Sequence, residues 1–184
     1  MKKVTSWQEI LLGVEGNAAS LYFSLFEDLI LSNKQDFEFK SRQKRPPIGT
    51  VNALLAFAYT ILSHDCASAL EAVGLDAYVG FLHSDRPGRQ SLALDLMEEL
   101  RAVYADRFVL TLINNRILKK SDFDEKENGV TLLNENGRKL FLNNWQEKKR
   151  EVIMHPFLEE KIPWGLVPYA QALLLARSIT KLCF

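Results

Sequence analysis

Apolar positions recur at helical spacing along most of the chain, and strand-like character is confined to one short stretch. After a short apolar-polar segment over 6–12, Ala18, Leu21, Tyr22, Leu25 and Leu29 form a stripe that predicts a helix over 13–30. Residues 32–47 lack periodicity and end in Pro46-Pro47, which disfavours helix before it. Leu54, Leu55, Ala58, Ile61 and Leu62 predict a helix over 50–63, buried nearly all round. His64 and Asp65 mark a break, and a small-residue helix over 66–73 ends at Gly74. Leu92, Leu96 and Val103 predict a helix from Ser91, a candidate N-cap, to about Tyr104. A further helix spans 105–118, started by Asp106, with Phe108, Leu112 and Ile113 inward. A charged loop over 119–127 precedes a candidate strand over 129–133 and a turn over 134–137. An amphipathic helix begins at Gly137 and is stopped by His155-Pro156, and a last helix runs over 167–182. The expected fold is mostly α, a single helical body with at most a short β-hairpin or strand.

Composition narrows this picture. The 184 residues are 47% hydrophobic, enough for a sizeable core, and no internal repeat or linker divides them. No apolar run approaches a membrane span, and the broken start is no signal peptide. Two cysteines, Cys66 and Cys183, have no metal-binding spacing, so a reduced, cytoplasmic protein is expected. Lys+Arg and Asp+Glu each number 23, which excludes a surface basic everywhere. It leaves room for a local patch at Lys40, Arg42, Lys44 and Arg45, read either as a solvated loop or as a contact for DNA phosphates.

The chemistry concentrates between Gly80 and Arg101. His83 precedes an Asp-Arg-Pro-Gly turn, and the following helix carries Asp95 and Glu98 three residues apart, on one face. Asp95 lies among Leu94, Leu96 and Met97, where a carboxylate calls for a partner or a metal. Read functionally, the cluster is a divalent-metal site, suited to Mg²⁺ or Mn²⁺ with the histidine favouring Mn²⁺. Arg86 or Arg89 would hold a scissile phosphate. Read blandly, Asp95 and Glu98 belong to a solvated helix face. Glu15, between Gly13 and Gly16, is either an acid at a helix start or a third carboxylate of the site. Asn52 is a cap or a hydrogen-bonding member of the site. His64 reads as structural and His155 as an ordinary surface histidine.

Four strings, LLGVEGNAASLYF at 11–23, RQKRPPIGTVNALLAFAYTIL at 42–62, GFLHSDRPGRQSLALDLMEELRAVYADRFVLTLIN at 80–114 and VTLLNENGRKLFLNNW at 130–145, occur together in this order. Jointly they resemble the integrase/endonuclease of CRISPR spacer acquisition, specifically its helical C-terminal catalytic domain. The resemblance implies that Glu15, His83 and Glu98 are metal ligands for Mg²⁺ or Mn²⁺, with Asp95 a further acid near the metal. Tyr22 and Asn52 would support the site or contact DNA. It also implies a homodimer that assembles with a small ferredoxin-like adaptation protein on a protospacer duplex. That complex joins DNA 3′-hydroxyls to a CRISPR repeat by transesterification and cleaves branched DNA. Gly49 stands where the family commonly has an acid, a change that tunes a helix start. Full-length members carry an N-terminal β-rich domain. The expected organisation here is one catalytic domain over 1–184 without it. A noncatalytic DNA-binding or assembly module of the same fold is the alternative, and a helical hydrolase of small phosphate esters a more distant one. The metal reading requires Glu15, His83 and Glu98 to converge.

Overall fold

A computed structural model of the chain describes residues 7–43, 46–84 and 86–182. Its axis is helix α2, Thr50–Ala72. Val51, Leu54, Leu55, Ala58, Leu62, Cys66 and Leu70 repeat at three- and four-residue steps and are fully buried. The expected break at His64-Asp65 does not occur, because neither residue is a helix breaker. Asp65 is instead held from outside, accepting from Lys149 Nζ at 2.7 Å and more weakly from Trp145 Nε1 at 3.4 Å. The helix starts at Gly49, an N-cap with φ +83°, where a side chain would strain the backbone. It ends in a Schellman turn: Gly74 N–H donates to the Glu71 carbonyl and Leu75 N–H to that of Leu70, both at 3.0 Å.

Around this axis pack helices α3 (Ser91–Leu100), α4 (Arg107–Asn114), α5 (Glu135–Arg150) and α6 (Val167–Leu182), with α1 (Trp7–Ser24) at the edge. No break separates α3 from α4. A π-helical turn, Arg101–Asp106, joins them. In an α-helix residues five apart stand about 140° apart around the axis. The wider π-turn swings Arg101 and Asp106 toward one side, and such turns recur at functional sites.

Two antiparallel hairpins, one more than expected, complete the fold. Strands β1 (Phe123–Glu125) and β2 (Thr131–Leu133) pair Phe123 with Leu133 and Glu125 with Thr131. β1 takes up part of the expected charged loop. Thr131 ties this hairpin to the start of α2 through Pro47 O and Gly49 N. Asn134 is the N-cap of α5 and accepts from Gly137 N–H at 2.9 Å, so the expected turn is the helix's first turn. Strands β3 (Val152–Met154) and β4 (Lys161–Pro163) form the second hairpin, too short to show alternation in sequence. At its turn His155 is buried at 2% exposure, not on the surface, and its Nδ1 accepts from Leu158 N–H at 3.1 Å.

Helix α1 departs most from expectation. It begins at Trp7, and a separate 3₁₀ turn, Phe26–Leu29, follows it. Of its expected apolar stripe, Leu21, Leu25 and Leu29 are exposed and only Tyr22 packs inward. Glu15 lies more than two turns into the helix, so an N-terminal charge role falls away. Helix α2 is long and apolar enough to cross a bilayer, but half of its apolar window is buried inside the fold. Cys66, on α2, is a free thiol whose pKa burial pushes up to about 12, with Asp65 and Glu99 adding to the shift.

An aromatic cluster closes the core behind the site. Trp145 and Phe141 stack at 5.9 Å, and Phe108 meets both edge-on at 5.0 and 5.1 Å. Both α5 rings have no exposed surface. Trp145→Ala is therefore expected to cost about 3–5 kcal/mol, read from urea denaturation followed by circular dichroism.

Candidate metal centre

His83 reaches the site on a loop that one carboxylate holds. Asp95, on α3, accepts from the backbone N–H groups of Phe81 (2.6 Å), Leu82 (3.0 Å) and His83 (3.0 Å). Its Oδ1 also meets His83 Nδ1 at 2.6 Å. Gly80 permits this approach: a Cβ there would stand 2.7 Å from Ser91 Cβ and 3.0 Å from Asp95 Oδ2. Burial raises the proton affinity of Asp95. The bonds from Leu82, the His83 ring, Phe81 and His83 N–H outweigh it and hold the carboxyl below its usual range. An ionised carboxylate only accepts, so His83 Nδ1 carries the proton of this bond, and Nε2 is the ring nitrogen turned away from Asp95. This is the arrangement that orients metal-binding histidines. Asp95, expected as an acid near a metal, here spends its oxygens on the His83 loop.

Glu98 lies one helical turn after Asp95 and lines the same cleft as His83, a space of about 390 Å³. Arg42, Arg89 and Arg101 also line it, as does His64, which stands exposed inside α2 rather than at a helix exit. Arg101 NH1 is 2.6 Å from both Glu98 oxygens. The Arg101 guanidinium also lies 4.6 Å over the Tyr59 ring, and that of Arg42 5.3 Å from the same ring.

Glu15 projects from α1 into a neighbouring cleft of about 530 Å³, which Lys40, Arg42 and Arg101 also line. The two clefts share Arg42 and Arg101 as their dividing wall. The structure thus brings His83 and Glu98 together and leaves Glu15 across this wall. Among the described residues no three His, Cys, Asp or Glu side chains stand close enough to hold one metal ion. The donor types do fit Mg²⁺ or Mn²⁺: a histidine nitrogen and carboxylate oxygens, one of them already balanced by a cation.

The remaining expected residues divide similarly. Asn52 is 5% exposed and uses its whole amide internally. Its Nδ2 donates to Ser41 O and Ile48 O at 3.0 Å, and its Oδ1 accepts from Gln43 N–H and Arg42 NH1 at 2.9 Å. It braces the loop that delivers Arg42, which turns inward instead of joining a surface patch. Lys44 and Arg45 lie outside the described residues, as does Asp85 of the turn after His83. Arg86 is exposed beside Arg89 at the groove over Pro87-Gly88. Tyr22 packs edge-on against Phe23 and Phe26, and burial, with the charge of Asp106 nearby, raises the pKa of its phenol.

Arg101, Tyr59 and Asp106 were not expected here. Two spacings carried the first two. Arg101 follows Glu98 by three residues, and Asn52, Ala56, Tyr59 and Ser63 form a polar-and-small stripe along an otherwise apolar helix.

The bonds to Asp95 favour its ionised form, so they stabilise the His83 loop above the unfolded carboxyl value of about 3.9 and are lost as pH falls through the lower folded value. Amide shifts of Phe81, Leu82 and His83 in NMR are expected to titrate together with a midpoint below about 3.9. Asp95→Asn is expected to abolish that titration.

The family model described as CRISPR associated protein Cas1 matches residues 1–147. CRISPR-associated endonuclease Cas1 2 of Rhodospirillum rubrum is 58% identical over 169 residues, 92% of this chain and 49% of the relative. CRISPR-associated endonuclease Cas1 1 of Chlorobaculum tepidum is 48% identical over 172 residues, 94% of this chain and 50% of the relative. Among solved structures, a casposase bound to integration product superposes with a TM-score of 0.85 at 31% identity, covering 98% of this chain and 50% of that one. The chain spans about half the length of these curated relatives. Matched in sequence over most of its length and in fold over nearly all of it, it belongs to the Cas1 family of CRISPR-associated proteins.

Proposed function

We propose that this chain carries the divalent-metal centre of a DNA integrase and endonuclease. It would join DNA 3′-hydroxyls to a CRISPR repeat and cut branched DNA. The observation that supports this reading most is the pairing of an oriented His83 with Glu98 in a cleft walled by arginines. A casposase matched over almost the whole chain is bound to an integration product, the same class of reaction.

His83 and Glu98, with Glu15 from α1, would hold Mg²⁺ or Mn²⁺, and Asp95 orients His83. The bound ion would neutralise charge on the nonbridging phosphate oxygens and polarise the attacking hydroxyl. Arg89 and Arg101 offer charge-assisted hydrogen bonds to the phosphate. In strand joining, a 3′-oxygen attacks phosphorus, one P–O bond forms and one breaks, and the displaced 3′-oxygen ends protonated. Cleavage is the same displacement with water as nucleophile. To reach a phosphate, Arg101 would have to leave the two Glu98 oxygens it now holds. A small ferredoxin-like adaptation protein and a second copy of the chain complete the proposed assembly.

The separation of Glu15 from His83 and Glu98 favours one second reading, a noncatalytic DNA-binding module. Branched DNA with Mn²⁺ distinguishes the two. Metal-dependent nicking or strand joining that disappears in His83→Ala, and falls about 10- to 100-fold in Asp95→Asn, is the expected result. Salt-sensitive DNA binding without turnover would instead establish the noncatalytic module.

A further inference from the structure

The loop between α2 and α3 presents apolar surface that the fold does not cover. Tyr78, Val79 and Phe81 are 47%, 57% and 56% exposed. Between Asp76 and Asp85 the sequence carries no charged residue. Large apolar side chains exposed together mark a contact surface, and this one belongs to the loop that carries His83.

The exposed segment is held at both ends. The carbonyl of Ala77, a residue buried at 1%, accepts from the N–H groups of Leu92 and Ala93 at 2.9 and 3.3 Å. Tyr78 N–H donates to Asp76 Oδ1 at 2.9 Å. At the other end, the N–H groups of Phe81 and His83 both donate to Asp95, at 2.6 and 3.0 Å. One carboxylate therefore sets the backbone of Phe81 against that of His83. A side chain carried on backbone already fixed needs less ordering when it binds. Past His83, Arg86 and Arg89 line the groove over Pro87-Gly88, and Arg89 also lines the cleft of His83 and Glu98. On one loop, an exposed aromatic stretch thus leads into the metal-site histidine and then into two cations.

An aromatic ring with cations alongside is the equipment that takes unpaired nucleic acid: the ring stacks on a base and the cations meet the backbone. A base inside a continuous duplex offers only its edges, because its faces are covered by its neighbours. We propose that Phe81 stacks on an unpaired base next to the phosphate held in the His83–Glu98 cleft, so that the site selects branched DNA over continuous duplex. The proposal rests on the reading of that cleft as a DNA site. Arg86 and Arg89 would meet phosphates of the same strand.

The test is a double cycle of affinities, measured by fluorescence anisotropy. One axis is the DNA: a branched molecule with its unpaired nucleotide at the branch intact, or with an abasic unit in that place. The other axis is the protein: the unmodified chain, Phe81→Ala and Phe81→Trp. Both substitutions keep the backbone N–H that Asp95 holds, and melting midpoints check the fold. Phe81→Ala is expected to weaken binding of the intact branch about 5- to 100-fold. On the abasic branch the same substitution is expected to have no further effect, because the base it would stack on is gone. Phe81→Trp is expected to restore the affinity. An equal loss on both DNAs overturns the proposal, since a structural role does not depend on the base. Unchanged affinity on both also overturns it, and leaves this surface to a protein partner. Mn²⁺ binding, read by electron paramagnetic resonance, is expected to be the same in Phe81→Ala and the unmodified chain. Absence of Mn²⁺ binding by the unmodified chain overturns the metal-centre reading, whereas the affinity cycle decides the stacking proposal without metal.

Discussion

One carboxylate, Asp95, holds the loop that carries His83. The loop after α2 has no regular structure of its own, yet His83 must be presented in one orientation. Asp95 satisfies three successive backbone N–H groups and the ring Nδ1 with two oxygens. Each N–H would otherwise need water, and the half-buried carboxylate would lack a partner. The bonds are mutually dependent, since displacing the loop strands Asp95 and neutralising Asp95 frees the loop. Gly80 and Ser91 matter because they let the loop come this close.

Charge around the cleft follows from the same logic. Glu98 lies near an apolar helix face and is paired with Arg101, whose flat guanidinium rests on Tyr59. Arg42 approaches the other side of this wall through a loop braced by Asn52. Two arginines therefore stand between the cleft of Glu98 and the cleft of Glu15. Arg101 balances the charge of Glu98 at this wall. The π-turn makes this possible by carrying Arg101 and Asp106 round to the side that α2 presents.

Much of the fold was legible in the sequence, and the failures have physical causes. Helix α6 and strand β2 stand where their patterns put them, because each buries a face whose period is visible locally. The break assigned at His64-Asp65 was spurious. Two polar residues in a row look like a boundary, but Asp65 is paid for by Lys149 from a distant helix. The stripe on α1 is apolar as read, yet Leu21 and Leu25 face outward, since apolar spacing identifies a face and not what covers it. In the site, the pairing of a histidine with an acidic helix was readable from 80–101, and the family resemblance singled out Glu98. The division of labour between Asp95 and Glu98 was not, because it depends on which way the loop folds back. Asp106 was read as a helix start, and only the packing of α2 against the π-turn gives it the Tyr59 phenol.

The central claim is that His83 and Glu98 form two sides of one divalent-metal site, which Glu15 completes. Anomalous diffraction at the manganese edge from crystals soaked in Mn²⁺ tests it most directly. The account predicts a peak within bonding distance of His83 Nε2 and a Glu98 oxygen, with Glu15 drawn to it and Arg101 withdrawn from Glu98. A cleft without a peak, with Arg101 still on Glu98 at saturating Mn²⁺, would contradict it.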